Sequence, residues 1–294
     1  MKVLSFGSLN FDHVYNTDHF VVPGETMSAA SYARGFGGKG LNQSIAMAKA
    51  GLEVYHAGRV GADGQPFIDY LKSFGVRTDY LMKDEHAVTG HAIIEVSGGN
   101  NRIILFGGSN RMIDEKQIDE VLSAFSEGDI LVMQNEISSA PYLMESAKMH
   151  GMRIFFNAAP MDGAVFTYPL EKADWICVNE IEGKALAGTD DTDSAAIGRT
   201  LSEKYPDSAI VLTVGEEGSW YFEGGTVIHA DAVRAEAVDT TAAGDTYIGY
   251  FLAGLSRGMD VRDAMDLASK ASGMSVTKNG AADSIPLYDE VVRA

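Results

Sequence analysis

The sequence predicts an α/β protein in which a mainly parallel sheet is covered by helices on both faces, three layers in all, with a small β-sheet lid beside it. Three observations lead there. Short apolar runs alternate with longer stretches whose apolar residues recur every three to four positions. Glycine closes several of the longer stretches, at Gly51, Gly75 and Gly151, as it closes helices. Two β-rich interruptions then break the alternation, which calls for a second, smaller sheet.

Residues 2–7 read as a buried strand ending on glycine, and residues 14–34 as an extended excursion. A helix over Leu41–Ala50, a strand over Glu53–Ala57 and a helix over Gln65–Phe74 follow. Val88–Val96 and Arg102–Phe106, around Ser-Gly-Gly-Asn-Asn, form a hairpin. A helix over Glu115–Phe125 leads to strands at Asp129–Gln134 and Arg153–Ala159, with the helix Pro141–His150 between them. Trp175–Asn179 and Ala209–Gly215 are the next strands, and Ala195–Lys204 is the helix that joins them. Ser219–Glu223 and Thr226–Ala230 pair around Gly224-Gly225, and two helices, Thr246–Arg257 and Val261–Thr277, come last. No linker, repeat or low-complexity tract divides the chain. The reading is one domain over residues 1–294, with lid segments at about 12–34 and 88–108.

Composition narrows the function. Of 294 residues, 46% are hydrophobic, 22% are charged and only 7 are proline, the balance of a globular protein able to bury a core. With 23 basic and 41 acidic residues the net charge is −18, so the summed field repels nucleic acid and anionic membranes. A small anion can still bind at a helix N-terminus. The single cysteine, Cys177, forms no internal disulfide, the first residues lack a basic segment followed by an apolar one, and no apolar run nears the roughly 18 residues of a membrane span. A cytoplasmic location and no membrane partner are the expectation.

Three clusters carry candidate chemistry. Gly35-Phe36-Gly37-Gly38-Lys39-Gly40 satisfies G-x-G-x-x-G and opens a helical run. A dinucleotide fingerprint needs that motif directly after the first core strand, and here a long excursion intervenes. Glycines that let the backbone approach a polyhydroxy ligand, with Lys39 and Asn42 bonding its hydroxyls, form a second reading, and a tight helix-capping turn a third. In the second cluster, Ala242-Ala243-Gly244-Asp245 begins a helix whose small residues leave first-turn N–H groups open to a phosphate. Asp245 is either a first-turn acid favoured by the helix dipole or a general base for a hydroxyl attacking that phosphate. The third is Asn10 with Asp12, beyond the first strand, suited to sugar hydroxyls or to an Asx turn. Asn179-Glu180-Ile181-Glu182 follows a strand and reads as a phosphate or metal-water contact or as a helix cap. Glu136 either faces the same crevice or is solvated. Cys177 reads as a core thiol, and the 7 histidines show no metal-ligand spacing.

Gly35–Asn42 (GFGGKGLN) resembles the G-G-K-G-x-N sugar motif of the ribokinase-like, or phosphofructokinase-B, carbohydrate kinases. Asp239–Asp245 (DTTAAGD) resembles the family's D-T-x-A-A-G-D, about 200 residues later. Supporting matches are Gly7–Asp12, Gly24–Thr26, Gly58–Asp63, Asn179–Glu182 and Val276–Ala281, so the resemblance spans essentially the whole chain. It implies a ribokinase-like three-layer sandwich with a β lid commonly used for dimerisation, and hence a homodimer. It also implies phosphorylation of a sugar hydroxymethyl group by ATP with Mg²⁺.

Residue by residue, the resemblance places Asn10, Asp12, Gly38, Lys39, Asn42 and Glu136 against the sugar. Asp245 falls on the base, and Ala242, Ala243 and Gly244 on the anion hole. Asn179, Thr213, Gly215 and Gly244 fall on nucleotide contacts, and Glu182 on the acid associated with Mg²⁺ and phosphate. Asp239, Thr241, Ser275, Lys278, Gly280 and Ser284 fall on a monovalent-cation loop, expected to take K⁺, some of them through backbone carbonyls only. Here Thr241 fills the variable position, and Ala282-Asp283-Ser284 replaces the more usual Gln-Pro-Ser. The sugar set is most similar to that of ribose-phosphorylating members, so D-ribose to ribose 5-phosphate is the expected reaction. The alternatives are another sugar or nucleoside as acceptor, or a sugar-binding regulatory protein without turnover.

Overall fold

The computed structural model describes residues 1–294. From the amino end, β1 (Val3–Phe6) runs into an antiparallel pair, β2 (Asn10–Asn16) and β3 (Ser31–Gly37), then α1 (Lys39–Lys49) and β4 (Val54–Val60). α2 (Gln65–Ser73), β5 (Arg77–Lys83), the hairpin of β6 (Gly90–Ser97) and β7 (Asn100–Phe106), and α3 (Glu115–Leu122) follow. Next come β8 (Ile130–Gln134), α4 (Ala140–Met149), β9 (Arg153–Asn157), β10 (Trp175–Asn179), α5 (Glu180–Ala187), α6 (Ser194–Lys204) and β11 (Ala209–Thr213). The hairpin of β12 (Ser219–Glu223) and β13 (Thr226–Ala230) precedes α7 (Ala243–Ser256), α8 (Val261–Ser275) and α9 (Tyr288–Arg293).

Nine strands form the main sheet, in the order β13-β12-β11-β10-β9-β8-β1-β4-β5. Its pairs are parallel except for β11 with β12 and β12 with β13. The other four strands make a separate sheet, β3-β2-β6-β7. Because successive side chains on a strand point to opposite faces, a sheet covered on both sides feeds two cores alternately. Val3, Ile130, Val132 and Val211 enter one core, which they share with Ile45, Tyr250, Phe251 and Ala264 from α1, α7 and α8. Leu4, Leu131, Met133 and Ile210 enter the other, with Ile118, Leu143, Leu186 and Leu201 from α3 to α6.

The alternating α/β class, the lid hairpin and the C-terminal helix pair are as the sequence predicts. Three elements escaped it. β5 is an edge strand with no fully buried residue, and its RTDYLMK carries only the short apolar run Tyr80–Met82. α5 is short and contains Gly183, and α9 has six residues at the very end of the chain. α1 starts at Lys39, two residues before the predicted Leu41, and α7 at Ala243, three before Thr246. The excursion over 14–34 resolves into β2 and β3, which begin and end outside those bounds.

Candidate active site

Ligands of open α/β sheets sit beyond the carboxyl ends of the parallel strands, and every candidate cluster of this chain meets there. β1 passes through Gly7 and Ser8 to Asn10, the first residue of β2, whose Oδ1 accepts from Asn110 Nδ2 at 2.9 Å. Asn110 Oδ1 in turn accepts from Leu9 N at 3.1 Å, so the stretch that delivers Asn10 is fixed to the turn after the lid hairpin. Asp12, one pleat further along β2, is half-buried. Burial, then the charge of Glu136, pushes its carboxyl up to about 6.

The lid returns through β3 into the glycine loop. The dinucleotide reading ends here, because the motif follows a strand of the lid and not the first core strand. Gly38 stands before α1 at φ 100°, a conformation that L side chains rarely adopt, and an added Cβ would lie 2.8 Å from Ser8 O. The loop thus closes against the end of β1. Glu136, beyond β8, is not a solvated acid: Ser8 Oγ donates to it, and Lys39 N donates to its Oε2 at 3.0 Å. Burial alone would lower the Lys39 ammonium, but the carboxylates of Asp245, Glu136 and Glu182 outweigh it and hold the pKa above its ordinary value. Lys39 is therefore a firmly charged cation at the junction of three acids.

Asp245 lies in the first turn of α7, nearly buried, and both of its oxygens accept from α1. Asn42 Nδ2 donates to Oδ2 at 3.0 Å, and Gln43 Nε2 to Oδ1 at 2.9 Å. Helix crossing makes this possible. A Cβ on Gly249 would sit 2.5 Å from Ala46 Cβ and 2.8 Å from Met47 N, so α7 and α1 touch nearly backbone to backbone one turn beyond Asp245 and Asn42. Asn42 Oδ1 is buried with no partner in the protein, an acceptor left for a ligand hydroxyl.

The other side of Asp245 opens on a cavity of about 870 Å³ lined by Asn179, Glu182, Thr213, Gly215, Ala242, Ala243, Gly244 and Asp245. Ala242 adopts φ 61° as the N-cap of α7, and no side chain caps the helix. Its first-turn amides thus face a space left open by Gly244, on which a Cβ would meet nothing within 4 Å. Asn179 and Glu182 form a capping box on α5, Asn179 Oδ1 accepting from Glu182 N at 2.9 Å and Glu182 Oε2 from Asn179 N at 3.0 Å. They cap and line the cavity at once, so the two readings of this pair are compatible. Cys177 is also in the wall, its thiol pushed up by burial and by Glu182, and hence protonated. Of the residues in the sugar set, Lys39 alone lines this cavity as well, and Asp245 stands between the two groups.

No group of three or more His, Cys, Asp or Glu side chains is placed to hold a metal ion. The cavity nevertheless presents Glu182 and Asp245, a set that fits Mg²⁺ held mainly by nucleotide oxygens and water with one or two carboxylates. Ahead of the start of α7, Asp239 fastens two loops together. Its Oδ1 accepts from Thr241 N and its Oδ2 from Gly280 N, both at 2.9 Å, while Val276 O accepts from the amides of Val238 and Asp239. Burial raises the Asp239 carboxyl, but these bonds overcome it and keep it below its ordinary value. Ser275 Oγ and Ser284 Oγ spend their protons on Ser272 O and Ala281 O, leaving oxygen lone pairs, and the Lys278 side chain is exposed. Carbonyl and hydroxyl oxygens with one carboxylate are donors of the kind a hard cation accepts.

The motif reading overlooked Gln43, Gln134, Asn157, Ser8 and Asn110. A signal for two of them was present: the apolar runs Ile130–Met133 and Ile154–Phe156 each end on an amide, Gln134 and Asn157, at the sheet edge where ligands bind.

Comparison with known proteins places the chain among kinases. A model of the pfkB family carbohydrate kinases matches residues 1–287. A ribokinase of Staphylococcus aureus is 32% identical, over 99% of this chain and 98% of the relative, and a deoxyribokinase of Salmonella typhi is 31% identical over 99% and 97%. The structure of Arabidopsis thaliana ribokinase complexed with ribose and ATP superposes with a TM-score of 0.88 at 27% identity, covering 99% of this chain and 97% of that one.

Proposed function

The chain belongs to the pfkB family of carbohydrate kinases, and from that membership we propose that it transfers the γ-phosphoryl group of ATP to the hydroxymethyl group of D-ribose, giving ribose 5-phosphate and ADP. One observation carries the reading: Asp245 stands where the Asn42 amide on the sugar side meets the open N-terminus of α7 on the cavity side. Asn10, Asp12, Lys39, Asn42 and Glu136 bind the sugar, with Gly38 giving the close backbone approach. Asn179, Thr213 and Gly215 line the nucleotide cavity. Asp245 takes the proton from the attacking hydroxyl as its oxygen bonds to the γ-phosphorus and the bond from that phosphorus to the β-bridging oxygen breaks. The amides of Ala242, Ala243 and Gly244 stabilise the charge on the transferring group, and the charged Lys39 adds to it.

Glu182 would hold Mg²⁺, which would supply neutralisation of phosphate charge, and the loops tied by Asp239 would hold K⁺, which would supply stiffening of the anion hole. The four-stranded sheet acts as the lid, and its apolar outer strand supports a homodimer. ATP as donor and a single buried thiol support a cytoplasmic location, and no helix is long and apolar enough to cross a membrane.

The test is ADP release with Mg²⁺ over ribose, 2-deoxyribose, other pentoses, hexoses and nucleosides, with and without K⁺. Ribose is expected to give the highest kcat/KM, and Asp245→Asn to lower kcat by about 10²–10⁴-fold while calorimetric ribose affinity stays within a few-fold. A hundredfold preference for another acceptor would replace ribose and keep the mechanism. Sugar binding without turnover in the wild type would point to a regulatory binder.

A further inference from the structure

A chain of buried amides leads to Asp245 from the protein side, and Gln43 is its last member. Gln43 and Gln134 are fully or almost fully inaccessible, and neither lines the nucleotide cavity or belongs to the sugar set. Gln134 Nε2, at the end of β8, donates to Gln43 Oε1 at 2.6 Å. Gln43 Nε2 then donates to Asp245 Oδ1 at 2.9 Å and to Asn157 Oδ1 at 3.1 Å, and Asn157 Nδ2 donates to Cys177 O at 3.2 Å. The direction of this chain is determined. Turning the Gln43 amide over would set its oxygen against a carboxylate, and turning Gln134 over would set oxygen against oxygen. Gln134 Oε1 has no partner despite its burial.

The consequence falls on the carboxylate. Asn42 and Gln43, adjacent on α1, hold one oxygen each, so the plane of the Asp245 carboxylate cannot turn without breaking a charge-assisted bond. Asn42 has an unpartnered oxygen for the ligand, whereas Gln43 spends every polar atom inside the protein. We propose that Gln43, backed by Gln134, is a positioning residue for phosphoryl transfer: it fixes the carboxylate of Asp245 so that a remaining lone pair faces the attacking hydroxyl. This rests on the reading of Asp245 as the base. Gln43 touches neither substrate, so its effect belongs to kcat and not to KM.

The experiment is steady-state kinetics on Gln43→Met, Gln134→Met, the double variant and Gln43→Met in an Asp245→Asn background. Gln43→Met keeps the length and loses both polar ends. It is expected to lower kcat about 10- to 100-fold, with KM for ribose and ATP within about threefold. Gln134→Met lowers kcat less and adds nothing on top of Gln43→Met, and Gln43→Met adds nothing on top of Asp245→Asn. Should Gln43→Met fold poorly, Gln134→Met and its kcat-against-KM split carry the test. A wild-type kcat in Gln43→Met, an equal rise in KM, or an undiminished loss in the Asp245→Asn background would overturn the proposal. A wild type that phosphorylates nothing in the sugar panel would instead remove the base assignment on which it rests.

Discussion

Asp12, which the proposed reading sets against the sugar, imposes a cost on the free protein. Its carboxyl is held up to about 6 because ionising it places a second charge beside Glu136 in a partly dry pocket. The sign follows from proton binding: between its ordinary value of 3.8 and about 6 the folded chain holds a proton that the unfolded chain has released. The stability this group lends is full below that window and is lost as pH rises through 6. Asp12→Asn is therefore expected to be more stable than wild type at pH 8, with the difference vanishing near pH 4, as denaturant titrations at the two values would show. Ribose binding has the opposite need, since sugar hydroxyls donate best to the ionised carboxylate. The KM for ribose should rise about tenfold from pH 7 to pH 5 in the wild type, and be high without that step in Asp12→Asn. Equal steps in the two proteins would assign the titration to another group.

At the scale of elements, the site depends on how closely two helices approach. A Cβ on Gly249 would meet Ala46 Cβ at 2.5 Å and Ala46 C at 2.8 Å, and backbone atoms cannot move aside as a flexible side chain can. Gly249→Ala must then push α7 off α1 and draw Asp245 away from Asn42 and Gln43. Thermal unfolding should report a loss of about 1–3 kcal/mol, the usual cost of overpacking, with a fall in kcat beyond that of a remote core variant of equal stability. Adding Ala46→Gly removes the nearer clash and should recover part of both. The same scale separates what the sequence discloses from what it hides. Gly244, Asp245 and the glycine loop stand out in the sequence because the proposed phosphoryl transfer needs small residues and an acid at fixed spacing. The central strands were legible because both of their faces are buried, so they read as unbroken apolar runs. Gln43 reads as one more polar residue in an amphipathic helix, and only the crossing at Gly249 turns it toward Asp245. β5, at the sheet edge, offers only the short apolar run Tyr80–Met82 to read.

For the whole molecule, the lid strand β7 raises a problem that one copy does not solve. It is the outer strand of the four-stranded sheet, and Ile103, Ile104, Leu105 and Phe106 are 53, 68, 52 and 51% exposed. Because consecutive residues face opposite sides of a strand, both faces of this edge are apolar and open to water. Bare apolar edges invite indiscriminate pairing, and proteins that keep them usually cover them with a defined partner. A second copy of the chain meeting this one through β7 covers both, in line with the homodimer proposed above. The interface would also stiffen the lid, since β7 pairs with β6, and β6 pairs with the β2 strand that carries Asn10 and Asp12. Ile104→Asp with Phe106→Asp should convert a dimer to a monomer in sedimentation velocity. The monomer should keep its KM for ATP, since the cavity proposed for it is formed by the main sheet and α7, and show a raised KM for ribose, since two of the residues proposed to bind it lie on the lid strand β2. A wild type that sediments as a monomer at micromolar concentration would overturn the pairing. A monomeric variant with unchanged ribose KM would separate dimerisation from sugar binding.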